Sequence, residues 1–208
     1  MAFSIRSKPK LRTYIKVKHK LEQEPYLLVR DRKGIPELTK LRSGTNRLRI
    51  EKGRYDKLPV EKRLCRFCEA DAVEDEKHFL LHCEEYEGLR QKMWKGLEAL
   101  FSYPVQMWPE EKKLGILLGA DEYKKRGNYS EMIKCVVNYI KRAMAKRRII
   151  DEKIEKAFKE VKVLEAQRER RIRNKYYARG SKRGNKGRGR CRHNFLECMC
   201  PFCPPKFM

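Results

Sequence analysis

Four residues have the types and spacing to hold a metal ion. Cys65, Cys68, His78 and Cys83 fall in the stretch LCRFCEADAVEDEKHFLLHCEEYEGL with the spacing C-x2-C-x9-H-x4-C. Two thiolates two residues apart can chelate one ion from a tight turn, and an imidazole and a third thiolate complete a tetrahedron. That donor set suits zinc. With all four positions filled by protein the site is closed and structural, leaving no place for a catalytic water. His82 is a competing imidazole, but its place beside Cys83 makes joint chelation of one ion awkward. A redox reading of Cys65 and Cys68 requires a strand–helix setting that the neighbouring sequence does not offer.

The elements around these ligands read as helices. Leu11, Tyr14, Ile15 and Leu21 fall near helical spacing, and a second apolar patch follows Pro25, so residues 8–33 predict two short helices. Pro36 opens a helix that Gly44 is placed to end. Leu48 and Ile50 alternate with Arg47 and Arg49, which fits an extended piece or the start of a short helix, with Gly53 at a turn. Glu74, Asp75 and Glu76 sit where a helix begins and complement its dipole. The H-x4-C step is slightly long for one helical face, so a break is expected near Cys83. Tyr86, Leu89, Met93, Leu97 and Leu100 predict an amphipathic helix over 84–101. Asn128 or Ser130 can cap a further helix whose Ile133, Val136, Val137, Ile140 and Met144 share a core face. Cys135 reads as a buried small hydrophobe.

Charge decides where a partner binds. The chain of 208 residues carries 52 Lys+Arg against 28 Asp+Glu, a formal net charge of +24. An excess of this size points to a polyanionic partner. It is unevenly placed: 19 against 7 in residues 1–64, 3 against 8 in 65–90, 8 against 6 in 91–140, 20 against 6 in 141–190 and 2 against 1 beyond. The metal-ligand segment is therefore acidic and a poor surface for phosphate. The candidate nucleic-acid contacts lie on the flanks, at Arg47, Arg49, Arg54, Arg170, Arg171, Arg173, Lys175, Lys182, Arg183, Lys186, Arg188 and Arg190. A solvated basic face is the alternative reading of the first three.

Beyond Ile149, Ile150, Ile154, Ala157, Val161 and Leu164 make a narrow stripe through a charged helix, a possible seam for a partner helix. Residues 170–192 hold 11 Lys or Arg and no acid, broken by Gly180, Gly184, Gly187 and Gly189. Such a segment is expected to be disordered, and with Tyr176 and Tyr177 it suits RNA or single strands. Cys191, His193, Cys198, Cys200 and Cys203 near the end could supply a second metal site, although their spacing matches no established pattern. No apolar run approaches a membrane span, and MAFSIRSKPKLRTY lacks the apolar core of a signal peptide. Eight cysteines without an export signal suggest a reducing compartment, nuclear or cytoplasmic, and not secretion.

The blocks KPKLRTYIKVKHKLEQEPYL, LTKLRSGTNRLRIEKGRYDKLPVEKRLCRFC and VEDEKHFLLHCEEYEGLR, in that order, resemble the C-terminal region of LINE-type (non-LTR) retrotransposon reverse transcriptases over residues 8–148. The resemblance implies that Cys65, Cys68, His78 and Cys83 are zinc ligands. It further implies a region that helps hold template RNA and target DNA during target-primed reverse transcription. The chain has no YADD-like aspartate pair and no endonuclease constellation, so neither of those activities is expected. No Ser/His/Asp set, phosphate loop or catalytic carboxylate pair stands out either, and the chain is not expected to be an enzyme.

The expected architecture is mainly α: a small irregular helical domain stapled by one Cys-Cys-His-Cys zinc site over 1–148, a charged helix over 149–169 and a disordered basic tail over 170–208. The expected function is a non-catalytic, zinc-stabilised RNA- or DNA-binding module. The alternatives are a truncated retroelement remnant and a protein-interaction piece acting through Ile150–Leu164. Loss of the metal site, by Cys68→Ser or His78→Ala, is expected to unfold residues 36–100.

Overall fold

A computed structural model of the chain describes residues 9–20 and 22–183. Among the described residues six α-helices carry the fold: α1 (Arg12–Val17), α2 (Gly34–Ser43), α3 (Arg49–Tyr55), α4 (Glu87–Phe101), α5 (Glu110–Leu117) and α6 (Tyr129–Arg183). Short 3-10 turns join them, and among the described residues the only β pairing is an isolated antiparallel bridge between Leu64 and Val73. None of the described helices is long and apolar enough to cross a membrane. The chain divides into two units, residues 1–153 and 154–208.

The first unit is built on the core face of α6. Ile133, Val136, Val137, Ile140 and Met144 are all buried, as their spacing predicts. Against this core cluster stand Ile35, Leu38 and Leu41 of α2, Met93, Trp94 and Leu97 of α4, and Ile116 and Leu117 of α5. The approach of α2 to α6 is close. A Cβ at Gly34 would fall within 2.1 Å of the Val137 side chain. Cys135 is half-buried; its thiol donates to the Met93 carbonyl at 3.5 Å, and burial pushes its pKa up.

The predicted helix after Pro36 forms, two residues earlier than its proline suggests. The Asp31 carboxylate accepts the N–H groups of Lys33 and Gly34 at 3.0 and 2.7 Å and so satisfies the start. The end is set by Gly44, in the left-handed region at φ 62°, where an added Cβ would lie 2.0 Å from the Lys10 carbonyl oxygen. Both the dihedral and the contact exclude a side chain. Gly44→Ala is expected to lower stability by at least about 2 kcal/mol, measured by urea denaturation of the metal-loaded protein.

Gly53 does not mark a turn. It lies inside α3, and a Cβ there would meet Arg63 Cγ at 2.6 Å. Arg63 uses this clearance to donate to the carbonyls of Ile50 and Leu58, each at 2.7 Å. Asn128 likewise departs from its expected role. Its side chain donates to the Leu100 carbonyl at 2.8 Å, while its backbone carbonyl accepts the first helical bond, from Met132.

The largest correction concerns the division of residues 149–208. There is no separate charged helix over 149–169 and no loss of order at Arg170, because α6 continues unbroken to Arg183. From Tyr129 to Arg179 the chain has neither Gly nor Pro, and it is rich in Lys, Arg, Glu and Ala. Nucleation, the costly step in helix formation, is already met by the packed turns over 129–147, so each added residue needs only propagation. Within the second unit, side chains 155–177 are exposed, with Val161 at 50% and Leu164 at 63%. The expected disorder over 184–208 lies outside the described residues.

Candidate metal centre

The ligands come from two short pieces of irregular backbone. Cys65 and Cys68 hang from the Leu64–Val73 bridge, where the Cys65 N–H donates to Ala72 at 2.8 Å and the Glu74 N–H to Arg63 at 3.0 Å. Between the bridge residues Leu64 and Val73 the loop reverses through Asp71 at φ 45°. Within this knuckle the backbone N–H of Phe67 faces the Cys65 sulfur and that of Ala70 faces the Cys68 sulfur. N–H groups aimed at sulfur favour the thiolate, the form that binds metal.

His78 and Cys83 flank a π-turn over His78–His82. In α geometry a five-residue step carries the chain through about 500°, which separates the two side chains around the axis. Here the Cys83 N–H bonds directly to the His78 carbonyl at 2.8 Å, an i to i+5 closure that brings both residues to one side. Asp75 begins the segment by accepting the His78 N–H at 2.7 Å. At Cys83 the chain leaves helical geometry, with ψ at 120°. The expected break is present, and the wider turn is what makes x4 a workable ligand spacing.

A π-turn strands carbonyls, and buried side chains answer them. Tyr139 of α6 donates its hydroxyl toward the carbonyls of Phe79 and Leu80, at 3.3 and 3.2 Å. Burial pushes the Tyr139 hydroxyl pKa up to about 12, so it stays a donor. Arg90 of α4 donates to Leu80 at 3.0 Å and to the Cys83 carbonyl at 2.6 Å. The result is four ligand atoms from Cys65, Cys68, His78 and Cys83 within 4.8 Å of one another, a group that can hold one metal ion. Cys65 and Cys83 sulfurs are 3.9 Å apart, and the Cys68 sulfur is 3.4 Å from His78 Nε2. The Cys83 thiol and then burial push the Cys65 pKa up to about 12. Three sulfurs crowded in a partly buried space call for a cation. His82 takes no part: it is half-exposed, with Nε2 3.3 Å from Glu110.

A helical turn does begin at the acidic residues, but Glu74 and Glu76 are turned into the fold. Both are buried, and each holds an ion-pair cluster. Glu76 accepts from Arg12 at 2.8 Å, Asn46 at 2.7 Å and Thr13 at 3.1 Å. Glu74, 1% exposed, pairs with Arg147 of α6, 2% exposed, through two bonds of 3.0 Å. Arg147 also lies over the Phe67 ring at 4.8 Å, inside the Cys65–Cys68 knuckle. Sequence reasoning missed Arg147, yet a signal existed. It continues the buried stripe Ile140–Met144 at the next three-residue step.

The candidate nucleic-acid contacts divide three ways. Arg47 is exposed. Arg49 and Arg54 are half-buried and engaged within the fold: Arg49 lies 3.8 Å from Asp56, and Arg54 lies 3.2 Å from Glu51 and over the Tyr55 ring. Those two serve the local structure. Arg170, Arg171, Arg173 and Lys175 are exposed on α6, whose backbone also includes Lys182 and Arg183. Lys186, Arg188 and Arg190, like Cys191, His193, Cys198, Cys200 and Cys203, lie outside the described residues.

The chain matches no protein-family model, no curated protein and no solved structure.

Proposed function

We propose that the chain is a non-catalytic, zinc-stabilised module that binds RNA or DNA through its phosphates, akin to the C-terminal region of LINE-type reverse transcriptases that its ordered sequence blocks resemble. Zinc is the ion the cage suits. With Zn–S near 2.3 Å and Zn–N near 2.1 Å, a tetrahedron has S···S edges of about 3.8 Å and S···N edges of about 3.6 Å. The separations of 3.9 and 3.4 Å are close to both. Three thiolates and an imidazole close the coordination sphere, so the ion supplies cohesion to the fold and no Lewis-acid chemistry.

The observation that carries the binding reading is the exposed, acid-free run on α6 at Arg170, Arg171, Arg173 and Lys175. It stands at a distance in sequence from the acidic ligand segment, so the metal staples and the flanks make contact. A solvated cationic helix binds polyanions by releasing counterions, and affinity then falls with salt. The full-length, metal-loaded protein is expected to show a log–log salt slope of about −3 to −5. Replacing those four cations with Gln is expected to make the slope shallower by about 2 to 3, read by fluorescence anisotropy. A flat salt response of the wild-type protein overturns electrostatic binding.

The exposed stripe through Val161 and Leu164 favours a second reading, pairing with a partner helix. That reading expects the four Gln substitutions to leave nucleic-acid affinity unchanged.

A further inference from the structure

Two loops of the first unit meet at the end of α4, one aromatic and one cationic. The first, residues 101–109 (FSYPVQMWP), contains no charged side chain. Phe101 and Trp108 pack edge to face at 5.3 Å, and Tyr103 lies 6.3 Å from Trp108 with its plane tilted by 37°. The second, residues 124–128 (KKRGN), holds three cations and no acid. The two are pinned together, because the Arg126 guanidinium stands 4.7 Å from the Phe101 ring centre and Asn128 donates to the Leu100 carbonyl at 2.8 Å.

This surface is fixed, yet it stays open. Val105 is fully buried and anchors the aromatic loop in the core. Gln106 donates to Glu98 of α4 at 3.1 Å and ties it at a second point. Tyr103 nevertheless remains 55% exposed and Met107 78%, and Lys125 and Arg126 are exposed beside them. A contiguous apolar face of this kind, held rigid and left to solvent, marks a binding site. We propose that it stacks the bases of single-stranded RNA or DNA on Tyr103, Trp108 and the Arg126–Phe101 pair, while Lys125 meets the backbone phosphates. The proposal rests on the nucleic-acid reading above and adds to it the form of the ligand.

Chemistry selects the occupant. Aromatic faces accept any base, since every base has a π-face, and guanidinium groups stack and neutralise at once. A duplex keeps its base faces covered and gains only the phosphate contacts. A proline-rich peptide suits aromatic loops too, but it has no use for the exposed cations Lys125 and Arg126; Lys124, its side chain 9% exposed, is already paired with Asp121 and Glu24.

The test uses the full-length, metal-loaded protein and oligo(U) or oligo(dT) of about 15 nucleotides, a length within single-strand site sizes. Of the two tryptophans, Trp94 is buried and Trp108 half-buried, so ligand stacking reads out as quenching that Trp108→Phe removes. Tyr103→Ala and Arg126→Gln, both at exposed positions, are expected to weaken single-strand binding about five- to a hundredfold, with duplex affinity unchanged in Tyr103→Ala and lowered in Arg126→Gln only by the loss of one charge. Unchanged single-strand affinity in both variants, with wild-type binding intact, overturns this inference alone. Quenching by a proline-rich peptide and not by the oligonucleotides also overturns it. If the wild-type protein binds no nucleic acid, both this inference and the reading beneath it fail.

Discussion

Cys83→Ser is expected to abolish the cooperative thermal transition of the first unit, and exhaustive chelation of the wild-type protein is expected to do the same. Cys83 is fully buried within the core cluster, between Phe79, Leu80 and Tyr86. Its sulfur is thus both a candidate ligand and a core atom. A closed site of this kind is worth on the order of 10–16 kcal/mol in isolated fingers, comparable to the entire stability of an ordinary domain. The backbone it closes has little regular structure of its own, one isolated bridge, one π-turn and loops, and depends on the ligands together with the buried side chains that bond to it. The first consequence is loss of structure over 63–86, with Phe79, Leu80 and Tyr86 withdrawn from the core. Residues 36–62 and 87–100 follow, because α2 and α4 pack on that same cluster. Helical circular dichroism is a blunt probe here, since α6 alone spans 55 residues and its side chains 155–177 are exposed. Hydrogen exchange and limited proteolysis over 63–86 are the decisive measurements. Wild-type protection there in the Cys83→Ser protein defeats the structural-metal reading.

The comparison of sequence with structure turns on what kind of information each residue carries. The ligands Cys65, Cys68, His78 and Cys83 were legible because chelation imposes residue type and spacing together. The core faces of α4 and α6 were legible because apolar periodicity reports which side is buried, and the end of α2 because Gly44 occupies a dihedral that other residues avoid. The destiny of charged residues was not legible. Glu74, Glu76, Arg12, Arg42, Arg90 and Arg147 read as solvent groups by type, yet five of them are buried and the sixth, Arg12, is half-buried; all but Arg90, which bonds to nearby backbone carbonyls, answer a partner distant in sequence. Composition prices each residue alone, whereas a buried ion pair is a property of two. The helical run past Arg170 was missed for a related reason. Net charge argues for disorder, but a helix already nucleated by packing propagates through residues that could not start one.

Arg147→Ala is expected to destabilise the first unit by about 3–5 kcal/mol, the penalty for leaving one member of a buried pair alone. Glu74 would keep only the Arg49 N–H, which donates to it at 2.7 Å, while a carboxylate 1% exposed loses both guanidinium bonds. Asp151, 2.7 Å from Arg147, is nearer solvent and should contribute little of this cost. The double variant Glu74→Gln with Arg147→Met removes both charges and keeps the volume, so it should recover most of the loss. A double-mutant cycle by urea denaturation separates the pair from its parts, and additive effects would show that the pair is not coupled. The same arginine links stability to the metal. It packs on Phe67 within the knuckle, and Glu74 follows directly on the bridge residue Val73. Arg147→Ala should therefore weaken metal affinity by about 10- to 100-fold, as loss of outer-shell support does elsewhere. The measurement is competition against a chromogenic chelator under conditions where the variant stays folded. An Arg147→Ala protein that is destabilised yet binds metal as tightly as the wild type would confine this residue to the core.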